Sequence, residues 1–148
     1  MPTKFSGYIW ALLICVIAAG CSRSGTTSTG SDNQLRAAMK LLGMEYGAYL
    51  ASSGKAPTDA ATLKTFLQSR MGQLQDFGVK SVDDLLPAGR DGQPLQIVYR
   101  EISRPAENPN YAWVACEAIG SEGVRLACDS RGGVHEINEE QFSQAFSR

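Results

Sequence analysis

The side chains that do most enzyme chemistry are scarce here: one histidine, His135, and four cysteines, Cys15, Cys21, Cys116 and Cys128. A single imidazole excludes a multi-histidine metal centre and leaves no second histidine for a relay. The spacing of Cys116 and Cys128 suits a hairpin rather than the C-x-x-C knuckle of a metal site. Two stretches imitate catalytic motifs. Ser52-x-x-Lys55 has the form of a serine nucleophile motif, and Ser31-Asp32-Asn33 that of its companion. The companion stands upstream of the nucleophile, however, and no Lys-Thr-Gly follows. Ser53-Gly54-Lys55 has the ending of a phosphate loop, but Ala56 stands where the metal-binding hydroxyl is needed. That stretch is better read as a helix stop.

Carboxylates are the remaining catalytic option, and Glu101 with Glu117 is the candidate acid/base pair. Strand alternation places both on a polar outer face, as solvated charge. The expectation is therefore no catalytic residue, no metal, no cofactor and no enzymatic activity. Tyr111 and Trp113 are a candidate recognition surface for a small ligand or a glycan, because exposed aromatics dominate such contacts. Packing in the core or at a sheet edge is the competing reading of the same two rings.

The elements that must position these residues are legible from their periodicity. Leu35, Met39, Leu42, Tyr46 and Tyr49 recur at spacings of three and four and predict a helix over residues 34–50. It ends at Ser52-Ser53-Gly54, with Pro57 beyond. Thr58 and Asp59 open a second helix through Leu63, Phe66 and Leu67, and Ser81-x-x-Asp84 has the form of a short capped turn. After "PAGRDGQP" the period changes to that of strands. Segments 95–102, 111–119 and 134–137 alternate as strands, and Asn138 with Gln141 caps a last helix.

Ser121-Glu122-Gly123 predicts a three-residue hairpin loop with Gly123 in the left-handed position. That register sets Ala118 opposite Leu126 and Cys116 opposite Cys128. Directly opposed Cα atoms lie ~4.5–5.5 Å apart, inside the ~4.4–6.8 Å range of a disulfide. A Cys116–Cys128 bond is the expectation, with two buried thiols as the other reading of the pair.

The first thirty residues carry an address. Tyr8 to Ala19 is an apolar run of 12 residues behind Lys4, short of the roughly 20 a spanning helix needs and within the ~7–15 of a secretory h-region. Small residues, Ala18-Ala19-Gly20, precede Cys21, and residues 22–33 are rich in Ser, Thr and Gly. The stretch resembles the lipobox of bacterial lipoproteins. The resemblance implies cleavage between Gly20 and Cys21, and lipidation of Cys21 with acyl chains such as palmitate. Ser22 after the cysteine implies sorting to the outer membrane, facing the periplasm. Residues 1–20 are then a signal peptide, 21–33 a flexible tether, and 34–148 one folded domain. Cleavage removes one lysine, so 14 basic residues become 13 against 15 acidic ones. That balance offers no footprint for nucleic acid. The expected partners are the membrane, through the lipid anchor, and an envelope protein.

The assembled pattern is α+β: a long N-terminal helix and short helices packed on a three-stranded antiparallel meander. It resembles the globular head of type IV pilins and type II secretion pseudopilins. "GKAPTDAATLKTFL" is similar to the segment that follows their helix, and "GRDGQPLQIVY" to their Gly/Pro turn entering the first strand. Lipobox, tether and these segments together are similar to small pilin-like lipoproteins of planctomycete bacteria. A pilin keeps an apolar stalk with a glutamate near its mature start. Here Gly7 is followed by Tyr8-Ile9-Trp10 and no such glutamate. The resemblance therefore implies a head fold and a structural or protein-interaction role, without filament assembly through that stalk.

Overall fold

The computed structural model describes residues 28–104 and 110–146. The lipidation and cleavage positions, Cys21 and Gly20, lie outside the described residues, as do residues 22–27 of the expected tether. Helix α1 spans Ser28–Ser53 and α2 spans Ala60–Leu74. Two 3-10 turns follow, Gln75–Phe77 and Val82–Leu85. Four strands come next: β1 (Gln96–Ile97), β2 (Trp113–Cys116), β3 (Arg125–Asp129) and β4 (Val134–Ile137). Helix α3 (Glu139–Phe146) closes the described chain. The strands form one antiparallel sheet in the order β1-β2-β3-β4.

The fold class is α+β, with one strand more than expected. The strand missing from the expected count is β3, the return limb of the hairpin. Strand β1, expected over 95–102, is only a two-residue edge that pairs Gln96 with Cys116 and Ile97 with Ala115. Its pairing stops early because Arg100 turns into the left-handed region (φ 69°) and donates its N–H to the Pro57 carbonyl instead. Helix α1 also starts six residues before the expected Gln34, so residues 28–33 belong to the helix rather than to a tether.

Helix α1 buries the face its spacing foretells. Leu35, Met39, Leu42 and Tyr46 enter the main core with Leu63, Leu67, Met71 and Leu74 of α2. The Tyr46 hydroxyl is not orphaned, since it donates to the Val98 carbonyl at 2.7 Å. Burial pushes its phenol well above the usual range, with Tyr99 and Tyr49 adding to the shift. Gly54, at φ 71°, ends α1 with its N–H on the Leu50 carbonyl. Asp59 caps α2 by accepting the Thr62 N–H at 2.8 Å. The Asp84 carboxylate holds the N–H groups of Lys80 and Ser81, as the capped-turn pattern predicts.

Helix α1 covers one face of the sheet, with α2 packed on α1 and the 3-10 turns, and α3 covers the other face. The inner face contributes Val114, Ala115, Leu126 and Cys128 to the main core. The outer face presents Trp113, Cys116, Ala127 and Ile137 to a smaller cluster under Phe142, Ala145 and Phe146 of α3.

The β2–β3 hairpin corrects the expected register. Ser121 and Val124 exchange two backbone hydrogen bonds, at 2.9 and 3.0 Å, around only Glu122 and Gly123. Both central residues have positive φ, 54° and 78°, which is the signature of a two-residue type I′ turn. The sequence reading gave the left-handed position to Gly123 alone. In the strands Cys116 faces Ala127 and Ala115 faces Cys128, with a bulge between Trp113 and Ala115. A slip of one residue exchanges the faces of a strand. Cys116 therefore points to the α3 side and Cys128 to the α1 side. Both are free thiols, and the expected disulfide is not formed.

Candidate functional site

The densest grouping of functional side chains lies on the outer face of the sheet, where β2, β3 and β4 meet α3. Asp129 ends β3 and is buried. Its Oδ1 accepts the N–H groups of Arg131 and Gly133 at 2.7 and 3.1 Å, which folds the β3–β4 turn around the carboxylate. Its Oδ2 lies 2.6 Å from Nε2 of His135, across that turn on β4. The imidazole is 39% exposed.

Aromatic rings continue the grouping. Tyr111 lies parallel to the imidazole, with centroids 6.0 Å apart. Trp113 meets His135 edge-on at 5.4 Å and Tyr111 at 6.2 Å. Phe146 of α3 lies 6.1 Å from Trp113 and stacks on Phe142 at 5.7 Å. The Arg125 guanidinium sits 3.8 Å from the centre of the Phe142 ring and bonds Glu139. Such edge and stacked pairs add roughly 0.5–1.5 kcal/mol each beyond the area they bury.

Chemically, the Asp129–His135 contact fixes an imidazole in the way a catalytic carboxylate does, with Tyr111 and Trp113 as its ring neighbours among the described residues. The hydroxyl of the neighbouring Ser130 accepts the Ala112 N–H at 2.9 Å, tying β2 to the turn. Among the described residues no three His, Cys, Asp or Glu side chains converge as a metal-binding group. Trp113 is only 8% exposed and packs beneath α3. Of the two readings of these rings, Trp113 takes the packed one, while Tyr111 keeps a half-buried ring beside His135.

Beside this cluster lies a cleft of about 480 Å³, between residues 96–103 and the end of α3 at Ala145 and Phe146. It exists because the chain leaves the sheet at Arg100. The Ser103 hydroxyl spans it to the Ala145 carbonyl at 2.8 Å, and the Ser103 carbonyl accepts the Trp113 N–H. Glu101 stands exposed on its wall.

Glu117 departs furthest from its expected place. It is fully buried rather than solvated, and it does not share the cleft with Glu101. Its carboxylate accepts the backbone N–H of Arg90 at 2.6 Å, the Leu126 N–H at 2.8 Å, and the Arg90 guanidinium through Nη2 at 2.7 Å. Those bonds raise the pKa of the Arg90 guanidinium. One residue on, Asp91 reaches back and accepts the N–H groups of Ile119 and Gly120. The turn at 88–94 and the β2–β3 hairpin thus exchange carboxylates, each acid holding the other segment's backbone. The signal available in the sequence was an Arg-Asp pair inside a Gly/Pro-rich turn, a place where charges are usually solvated.

Burial pushes both thiols up, Cys116 and Cys128 each to about 12. At neutral pH they are protonated, and so are poor nucleophiles and poor metal ligands.

Comparison with protein-family models, with curated proteins and with solved structures finds no match for this chain.

Proposed function

We propose that the chain is an envelope lipoprotein, held by acyl chains on Cys21 at the periplasmic face of the outer membrane. Its α+β domain acts as a pilin-like structural or protein-interaction module. The observation that carries this reading is Gly20-Cys21 placed directly behind the 12-residue apolar run Tyr8 to Ala19, which ends in the small residues Ala18-Ala19. No helix among the described residues is long and apolar enough to cross a membrane. In this reading attachment falls to the lipid, each buried methylene contributing about 0.8 kcal/mol and two or more chains holding stably.

The position of α1 supports a short leash. Seven peptide steps separate Cys21 from Ser28, which at full extension reach about 25 Å. The domain would then stand close to the membrane, with the α1 end nearest to it. A 26-residue helix laid along an antiparallel meander supports the pilin-like description. The grouping around His135 supports a packing or contact role, because its imidazole is fixed by Asp129 and flanked by Tyr111 and Trp113.

Metabolic labelling with palmitate tests the anchor. Wild-type protein is expected to take up label and Cys21→Ala to lose nearly all of it. Equal labelling of the two would overturn the reading.

A further inference from the structure

We infer that α3 is a detachable cover: residues 139–146 leave the sheet as a unit while α1, α2 and the strands stay folded, opening the outer face around Trp113 and Cys116. Four observations converge on this. Helix α3 has eight residues, well under the ~12–15 at which an isolated helix becomes even marginally stable in water. It therefore exists only as long as it is docked. None of its residues is fully buried; Phe142, Ala145 and Phe146 are half-buried and the other five are exposed.

Its polar fastenings lie at the surface. Arg125 bonds Glu139, whose side chain is 70% exposed. Asn138 and Gln141 cap the start of the helix reciprocally, at 3.0 and 3.1 Å. At its far end the Ser103 hydroxyl bonds the Ala145 carbonyl and Phe146 lies against Trp113. The cleft of about 480 Å³ runs along that same end, so the seam between α3 and residues 96–103 is not sealed.

What α3 covers differs from the surface of a folded sheet left to solvent. Cys116 and Ala127 are completely buried there, and Ile137 and Trp113 nearly so. On the opposite face Cys128 is equally buried, but under the long helix α1 and the main core. Elements with few buried apolar contacts open locally at low free energy, whereas core elements open only with global unfolding. The two thiols sit on opposite sides of one sheet, so each reports on the cover above it. Undocking of α3 would expose a continuous apolar strip of Trp113, Cys116, Ala127 and Ile137, with Val98 at its margin.

The test is native-state alkylation of the full chain with N-ethylmaleimide, followed by tryptic mass analysis. Cleavage after Arg125 puts Cys116 and Cys128 on different peptides. Cys116 is expected to react at least about tenfold faster than Cys128, at a rate that barely changes in low urea, while Cys128 follows global unfolding. Phe142→Ala is expected to speed Cys116 several-fold further and to leave Cys128 unchanged. Equal rates for the two thiols with the same steep urea dependence would overturn the inference, as would a faster Cys128. The wild-type comparison decides the question even if Phe142→Ala does not fold.

Discussion

Glu117→Ala is expected to lower the unfolding free energy by about 3–5 kcal/mol, the range for breaking a buried, hydrogen-bonded ion pair on one side. The carboxylate is fully buried, and its loss leaves the N–H groups of Leu126 and Arg90 without their acceptor. The guanidinium loses its bond from Nη2 as well. Arg90→Ala is expected to cost a similar amount by the opposite route, because it strands a buried negative charge on two backbone donors. Replacing both partners by apolar residues, Arg90→Met with Glu117→Leu, is expected to recover much of the loss, since the desolvation of both charges then disappears. Urea unfolding of the four proteins checks this. A loss under about 1 kcal/mol for Glu117→Ala would show that the carboxylate is solvated after all.

Gly47→Ala and Gly43→Ala are expected to be strongly damaging methyl additions within α1. A Cβ on Gly47 would stand 2.0 Å from the Ser130 carbonyl oxygen, and one on Gly43 2.2 Å from that of Asp129. Both obstacles are backbone atoms, so no side chain can rotate away; α1 and the β3–β4 turn must separate. Helix propensity pulls the other way, with alanine favoured over glycine by up to about 1 kcal/mol. Overpacking costs about 1–3 kcal/mol and is expected to win. Gly72, on the exposed side of α2, is the control, since nothing lies within 4 Å of its added Cβ. Gly72→Ala is expected to stabilise by roughly 0.5–1 kcal/mol. Thermal unfolding gives the sign of each change, and a stabilising Gly47→Ala would contradict the close approach of α1 to the turn.

These two cases also mark where the sequence stopped being legible. The apolar stripe of α1, the stop at Gly54, the Asp59 cap and the Ser81/Asp84 turn are local devices. Each depends on neighbours a few residues away, so spacing alone exposes it. Gly43 and Gly47 sit inside a helical stripe, where spacing predicts only a weak helix position; their use depends on a turn some 85 residues away that spacing cannot place. Glu117 and Arg90 are likewise a long-range pair. A charge in a strand reads as a solvent-facing residue until a partner arrives from another segment.

The hairpin failed for a narrower reason. A two-residue and a three-residue loop differ only in whether Glu122 enters the left-handed region beside Gly123. A glutamate there is uncommon enough that the three-residue reading was the natural one. That turn alone would set Cys116 opposite Asp129. The observed pairing with Ala127 also needs the irregular stretch between Cys116 and Ser121, where Gly120 has positive φ. This register puts Cys116 and Cys128 on two faces without a disulfide. The bulge after Trp113 leaves that ring on the same outer face as Cys116, against α3. The site was therefore legible only in part, as the pair Tyr111 and Trp113; His135, Asp129 and the cover α3 join them only in three dimensions.

The reading of the chain as a lipid-anchored module rests on what happens between Gly20 and Cys21. Mass analysis of the amino-terminal peptide, taken from protein purified out of native envelopes, tests it most directly. The account predicts a peptide that begins at Cys21 and carries acyl chains on that residue. A peptide that runs unbroken from residues 1–20 through an unmodified Cys21 would contradict it.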